Sequence, residues 1–185
     1  MAGSFVKRRS LYSSAMRRVL GCCLMVLCLA GAAVGQGTGQ LQKKIVGAWR
    51  LVSVEGELPG MPGFYDHPSG LIVYDASGTM SVQIANRGAR KKFARGLAAG
   101  TEAEKARAFS SYFSYYGRYA VDDAAGSVTH EVEDSSYPDL RGRKEVRWVE
   151  FQGEDRMVLM PVEDGKGGTV ARKDATYRLV WERVR

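Results

Sequence analysis

The stretch LIVYDASGTMSVQIA, residues 71–85, holds two short runs of β-forming residues with a turn between them. In the second run the apolar side chains of Met80, Val82 and Ile84 alternate with polar ones, a pattern typical of a half-buried strand. Gly78 falls in the turn, where glycine readily adopts the positive φ that tight hairpins need. These features predict an antiparallel hairpin with one face turned toward a core.

The same kind of pattern continues on both sides of this hairpin. Apolar or alternating runs are separated by turn-like segments, and the predicted strands cover residues 44–55, 71–75, 79–85, 118–122, 127–133, 143–151, 156–161 and 175–183. Eight strands joined mainly by short turns predict an antiparallel meander, which can close into an up-and-down barrel without open edges. The predicted fold is therefore an all-β, eight-stranded barrel, which is wide enough to hold one small ligand.

One segment interrupts the β pattern after the third predicted strand. TEAE, residues 101–104, is a capping-box sequence, with threonine as the cap and glutamate three positions later. Apolar side chains follow at helical spacing, at Ala106, Phe109, Tyr112 and Phe113. We therefore predict a helix over residues 101–115 that closes one end of the barrel or packs beside it.

The N-terminal residues 1–35 have the three parts of a signal peptide. A basic region ends at Arg18, an apolar run covers residues 19–33, and small residues follow. Such a leader would direct export and be cleaved before Gln36, so we expect a periplasmic or secreted location. The alternative is an uncleaved leader that anchors the chain in the membrane. Residues 36–43 are polar and predict a flexible lead-in to a barrel domain over residues 44–185.

Charge and motif content exclude several classes of function. The chain has 27 basic and 20 acidic residues, but five basic and no acidic residues lie in positions 1–35, which leaves 22 basic and 20 acidic residues beyond them. The barrel domain thus lacks the basic excess typical of nucleic-acid binding, and membrane contact is expected only through an uncleaved leader. All three cysteines lie in the apolar run, and no phosphate-binding loop or paired-histidine spacing is present. We therefore predict no metal and no cofactor; nothing in the sequence indicates an oligomeric state.

Several stretches resemble the bacterial and fungal lipocalin-like domain family. They are GAWRLVSV (47–54), GLIVYDASGTMSVQI (70–84), YFSYYGRYAV (112–121), VTHEVEDSSYP (128–138) and YRLVWER (177–183). The first begins with a sequence similar to the G-x-W opening of lipocalins. The resemblance implies a barrel floor in which Gly47 permits a tight approach, Trp49 plugs the end, and Arg178 or Arg183 of the last strand lies over the tryptophan ring.

The candidate ligand-binding residues are those expected to point into the barrel: His130, Arg147, Val132, Tyr74, Tyr116 and Tyr119. His130 lies between Val128 and Val132 on an apolar strand face, where an imidazole can orient a ligand or exchange protons. The alternative is a core histidine that is hydrogen-bonded to a neighbouring hydroxyl group. The tyrosines combine flat apolar surface with one polar group each.

Arg147 alternates with Val149 and Phe151, which favours an inward orientation. A guanidinium inside a barrel needs a partner or an anionic ligand, because an unpaired buried charge is costly. The alternative is an outward Arg147 that pairs with Glu131 or Glu133.

Three functions follow from these observations. The leading hypothesis is an exported module that binds a small hydrophobic or amphipathic molecule in the barrel, which requires no enzymatic activity. The second is an isomerase or cyclase in the same cavity, with His130 and Tyr119 as acid and base. The third is a packed structural or interaction domain without a ligand.

Overall fold

The computed structural model describes residues 39–56, 67–163 and 168–185. The predicted signal peptide, residues 1–35, lies outside these ranges. The elements in chain order are α1 (Gln40–Ile45), β1 (Gly47–Gly56), β2 (Pro68–Tyr74), β3 (Thr79–Asn86), α2 (Glu102–Ser110), β4 (Tyr112–Asp122), β5 (Ser127–Ser135), β6 (Lys144–Gln152), β7 (Arg156–Pro161) and β8 (Tyr177–Arg183).

The eight strands form a closed antiparallel barrel in sequence order, which confirms the predicted fold. Each strand pairs with the next, and β1 closes the barrel by pairing with β8. The closing register places Trp49 opposite Arg183 and Leu51 opposite Trp181. Side chains alternate between the two faces of each strand, so the apolar set fills the interior.

The helix after β3 is present but shorter than predicted. Thr101 and Glu104 form the predicted capping box, in which the Thr101 amide donates to the Glu104 carboxylate at 2.7 Å. However, α2 ends at Ser110 and β4 begins at Tyr112, six residues before the predicted start at 118. The positions of Tyr112 and Phe113 are compatible with a helix as well as with a strand. In the structure both residues pair with β3 and therefore belong to a strand.

The predicted flexible lead-in differs from the structure at residues 40–43, which belong to the short helix α1. Ile45 is completely buried and Leu41 packs against the barrel core. These two side chains are four residues apart and therefore share one face of the helix. The helix occupies the start of the predicted first strand, so β1 begins at Gly47 instead of residue 44.

The two ends of the barrel differ in their connections. At one end are α1, whose Ile45 belongs to the core, and three short turns, after β2, β4 and β6. At the other end are the longer connections, including the one that holds α2. Within the three described ranges, no helix is long and apolar enough to cross a membrane.

Candidate ligand-binding site

The floor of the barrel is built around the indole of Trp49. This side chain is completely buried, and its Nε1 donates a hydrogen bond to the Ile45 carbonyl at 2.8 Å. The Arg183 guanidinium carbon lies 4.0 Å from the tryptophan ring centroid, a cation–π geometry. Arg183 also donates to the carbonyls of Val46 and Lys44, at 3.0 and 2.7 Å. The last strand is thereby tied to the chain that enters β1.

Gly47 is needed where the chain turns from α1 into β1. Its φ is +133°, and an added Cβ would lie 2.8 Å from Nη1 of Arg183. Both the backbone conformation and the closeness of the guanidinium therefore favour glycine at this position. Arg178, the other candidate from the last strand, instead lies 3.8 Å from Glu150, so of the two candidates it is Arg183 that covers the tryptophan.

Tyr119 belongs to this floor. Its hydroxyl donates to the Asp75 carbonyl at 2.9 Å and accepts from Nε2 of Gln42 at 3.2 Å. Its ring packs edge-on against Tyr74, with 4.9 Å between the centroids. Tyr119 does not line the cavity described below, because its hydroxyl points to the turn after β2 and to α1.

A cavity of about 270 Å³ lies above this floor, toward the end with the long connections. Its apolar wall is formed by Ile72, Val82, Ile84, Phe113, Leu159, Leu179 and Trp181. Residues near the ends of β6, β7 and β8, such as Arg143, Pro161 and Thr176, border its mouth. The volume is just below the roughly 300–1,000 Å³ of ligand pockets, so a small ligand fits best.

His130 lies on β5, where its side chain is 1% exposed and forms part of the cavity wall. Its Nε2 is 2.8 Å from the Tyr74 hydroxyl, and its Nδ1 is 2.7 Å from the Tyr115 hydroxyl. Burial, together with the positive charge of Arg147, lowers the pKa of His130 to about 3. The imidazole is therefore neutral near pH 7 and hydrogen-bonded at both nitrogens.

The two tyrosine hydroxyls determine which tautomer of His130 satisfies this network best. Burial raises the pKa of both Tyr74 and Tyr115, so each keeps its hydroxyl hydrogen. A neutral imidazole has one acceptor nitrogen and one N–H, and among the described residues His130 is the only hydrogen-bond partner of either hydroxyl. Tyr74 is buried away from the cavity, whereas Tyr115 lines it, so no buried hydrogen is left without an acceptor if Tyr74 donates to Nε2. Nδ1 then carries the proton and donates to Tyr115, whose own hydroxyl hydrogen remains for a ligand in the cavity that it lines.

Arg147 points into the cavity and is paired there with Glu145. Its Nη2 lies 2.9 Å from a carboxylate oxygen of Glu145, and the two side chains are 16% and 17% exposed. Its Nη1 donates to the Val146 carbonyl at 2.9 Å. Burial alone would lower the pKa of Arg147, but neighbouring tyrosine and glutamate oxygens outweigh it and raise that pKa, so the guanidinium stays charged.

The structure places the other predicted ligand residues away from the cavity. Val132 and Tyr74 are buried in the core, where Tyr74 reaches the site only through His130. Tyr116 is 52% exposed, because it alternates with the inward Tyr115 on β4 and so points out of the barrel. Of the six predicted ligand residues, His130 and Arg147 line the cavity itself.

Sequence reasoning missed most of the cavity lining, including its polar residues Tyr115 and Glu145 and the indole of Trp181. Glu145 lies two positions before Arg147, and in a strand this spacing places both side chains on one face. That spacing could have identified Glu145 as the partner of Arg147 in place of Glu131 or Glu133. Trp181 also lines the cavity, and its buried Nε1 has no acceptor among the described residues. No group of three or more acidic, histidine or cysteine side chains in the described part of the chain could hold a metal ion.

Comparison with known proteins identifies the family. Residues 46–184 match the lipocalin-like domain family, and the protein therefore belongs to it. Over 81 residues it is 36% identical to the 4'-hydroxy-3'-methoxypropiophenone carrier protein ppsC of Aspergillus oryzae. This alignment covers 40% of the present chain and 73% of the carrier protein. Among solved structures, a redesigned β-barrel matches with a TM-score of 0.38 and 11% identity, over 77% of this chain and 94% of that one.

Proposed function

We propose that this protein binds one small aromatic molecule with a hydrogen-bond-accepting oxygen in the cavity of its barrel. The observation that carries the proposal is the combination of an apolar wall with one polar corner, where Tyr115 has a hydroxyl hydrogen to donate. A single ring fits the volume better than a long acyl chain does. The ring of Trp181 also lines the cavity, and its buried N–H has no acceptor among the described residues.

The related carrier protein supports this class of ligand. Its name gives a propiophenone as its cargo, which has one substituted aromatic ring and a ketone. An aryl ketone offers the flat apolar surface that packs against Trp181 and Phe113, and a carbonyl oxygen that accepts from Tyr115. We therefore propose an aryl ketone, or a ring of similar size with a carbonyl group, as the ligand.

The geometry of His130 favours binding over acid–base catalysis. An acid or base that works near neutral pH needs a pKa close to that pH and a nitrogen free to meet the substrate. His130 has neither, because its pKa is near 3 and both nitrogens are bonded to tyrosine hydroxyls. Tyr119, the proposed catalytic partner, is bonded within the floor. We assign His130 the role of holding Tyr115 in its donor orientation.

Binding is tested by titrating the hydroxymethoxy-substituted propiophenone into the protein and following tryptophan fluorescence and calorimetric heat. We expect saturable binding at one molecule per chain. Ile84→Trp should reduce the affinity by tenfold or more, because Ile84 lines the cavity and the larger ring fills it. The matched control is Val52→Trp, since Val52 is 41% exposed on the outer face of β1. Heat without saturation in the wild type, or equal binding by Ile84→Trp, would contradict the proposal.

We further propose that the protein is exported and acts in the periplasm or outside the cell. The support is the order of basic, apolar and small residues in positions 1–35. Cell fractionation should recover the protein outside the cytoplasm, and N-terminal sequencing should begin near Gln36. A cytoplasmic product that retains residues 1–35 would refute export and leave the binding proposal untouched.

A further inference from the structure

The charge of the cavity depends on one carboxylate, that of Glu145. Assuming that the barrel binds a small molecule as proposed above, we propose that Glu145 is a specificity-determining residue: by neutralising Arg147 inside the cavity, it makes the site accept uncharged carbonyl compounds and reject carboxylates. An unpaired arginine at this position would instead favour an anionic ligand.

The arrangement of the ion pair supports this role. Glu145 and Arg147 are on the same inner face of β6, and each side chain is at least four-fifths buried, so solvent screens their interaction only weakly. Both terminal nitrogens of Arg147 are already bonded, Nη2 to Glu145 and Nη1 to the Val146 carbonyl. A ligand carboxylate would have to displace Glu145 or lie beside its negative charge.

The other charged residues around the cavity lie outside this buried pair. Lys144 extends to the outer face, where its ammonium lies 2.7 Å from Glu131. Arg143 and Glu163 are exposed at the mouth, and Arg143 lies 3.6 Å from Glu145. His130 is uncharged near neutral pH. The inner cavity therefore holds one positive and one negative group in contact with each other.

A neutral ketone is not repelled by the Glu145 carboxylate. Its oxygen needs one donor, and the Tyr115 hydroxyl supplies a donor without breaking the ion pair. A carboxylate must lose its hydration on entering the barrel, and it recovers this loss only from an unopposed positive charge. The ion pair thus discriminates between two ligands of the same shape by their charge.

The test uses two ligands that differ in one group. A hydroxymethoxy-substituted acetophenone and the benzoate with the same ring substituents have equal numbers of heavy atoms, with a methyl group in one where the other has a charged oxygen. The affinities of both are measured for the wild type, Glu145→Gln and Glu150→Gln. Glu150 is the matched control, because it is on the same strand but pairs with Arg178 on the outer face.

We expect the wild type and Glu150→Gln to bind the ketone at least tenfold more tightly than the benzoate. In Glu145→Gln the benzoate affinity should rise about tenfold or more, which is the range of one charge-assisted hydrogen bond. The preference for the ketone over the benzoate should therefore fall about tenfold or more. Benzoate binding as tight as ketone binding in the wild type, or an unchanged preference in Glu145→Gln, would overturn the inference.

A double variant keeps the inference testable if Glu145→Gln does not fold. Glu145→Gln with Arg147→Met removes both charges, and replacing a buried ion pair by uncharged groups is often tolerated. We expect this variant to keep the ketone preference; strong benzoate binding by it would show that charge pairing does not set selectivity. If neither ligand binds to a folded wild type, the proposed function fails. If the wild type binds the ketone and the benzoate equally well, only the role of Glu145 is refuted and the proposed function stands.

Discussion

Replacing Trp49 with alanine is expected to lower the free energy of unfolding by about 3–5 kcal/mol, the usual range for removing a buried aromatic side chain. The indole is completely buried, packs 5.9 Å from the Phe151 ring and holds Arg183 over its face. The substitution would leave a cavity in the floor and deprive the Ile45 carbonyl of its donor. Urea unfolding followed by circular dichroism measures the change.

Trp148→Ala is the matched control for this experiment. It removes the same side chain from the outer face of the barrel, where Trp148 is only partly buried and packs against Val158, Met160 and Val180. We expect a smaller loss there than at Trp49. A loss below about 1 kcal/mol for Trp49→Ala would mean that the floor does not depend on this side chain.

Acid is expected to destabilise the protein through His130, starting at a higher pH than carboxylates alone would allow. The unfolded chain takes up a proton near the ordinary histidine pKa of 6.5, whereas the folded protein resists protonation until about pH 3. Between these values the unfolded state binds more protons, so the free energy of unfolding falls as the pH falls. The loss is about 1.4 kcal/mol per pH unit, on the order of 4–5 kcal/mol by pH 3.

The window between pH 6.5 and 4.5 isolates this effect. Folding lowers the pKa of the carboxyl groups of Glu104 and Glu131, whose ordinary value is 4.5, so their contribution is lost mainly below that pH. Urea unfolding at several pH values in the window should show a loss of about 2–3 kcal/mol for the wild type. His130→Gln should start less stable but lose little over the same range. Parallel curves for the two proteins would argue against a buried neutral histidine.

The local sequence pattern was enough to predict the eight-stranded barrel. The alternation in β3, the turn at Gly78 and the capping box at Thr101 depend on neighbouring residues, so they are visible in the sequence. The family resemblance also pointed to Gly47 and Trp49 of the floor. It left Arg178 and Arg183 as candidates for the arginine that lies over the tryptophan ring. Only the register of β8 against β1 decided between the two arginines, because it places Arg183 opposite Trp49.

The binding site, in contrast, was decided by tertiary structure. Alternation along a strand predicts which side chains share a face, but it does not reveal how deep each lies in the barrel. Tyr119 and Tyr115 both point inward, yet Tyr119 closes the floor and Tyr115 faces the cavity. Tyr115 pairs with Val82 of β3, whereas Tyr119 lies beyond the end of that pairing, next to the turn after β2. Likewise, the sequence left two orientations open for Arg147, one into the barrel and one out of it. Its partner, its charge and the neutrality of His130 follow from burial and from contacts between strands that are distant in the chain.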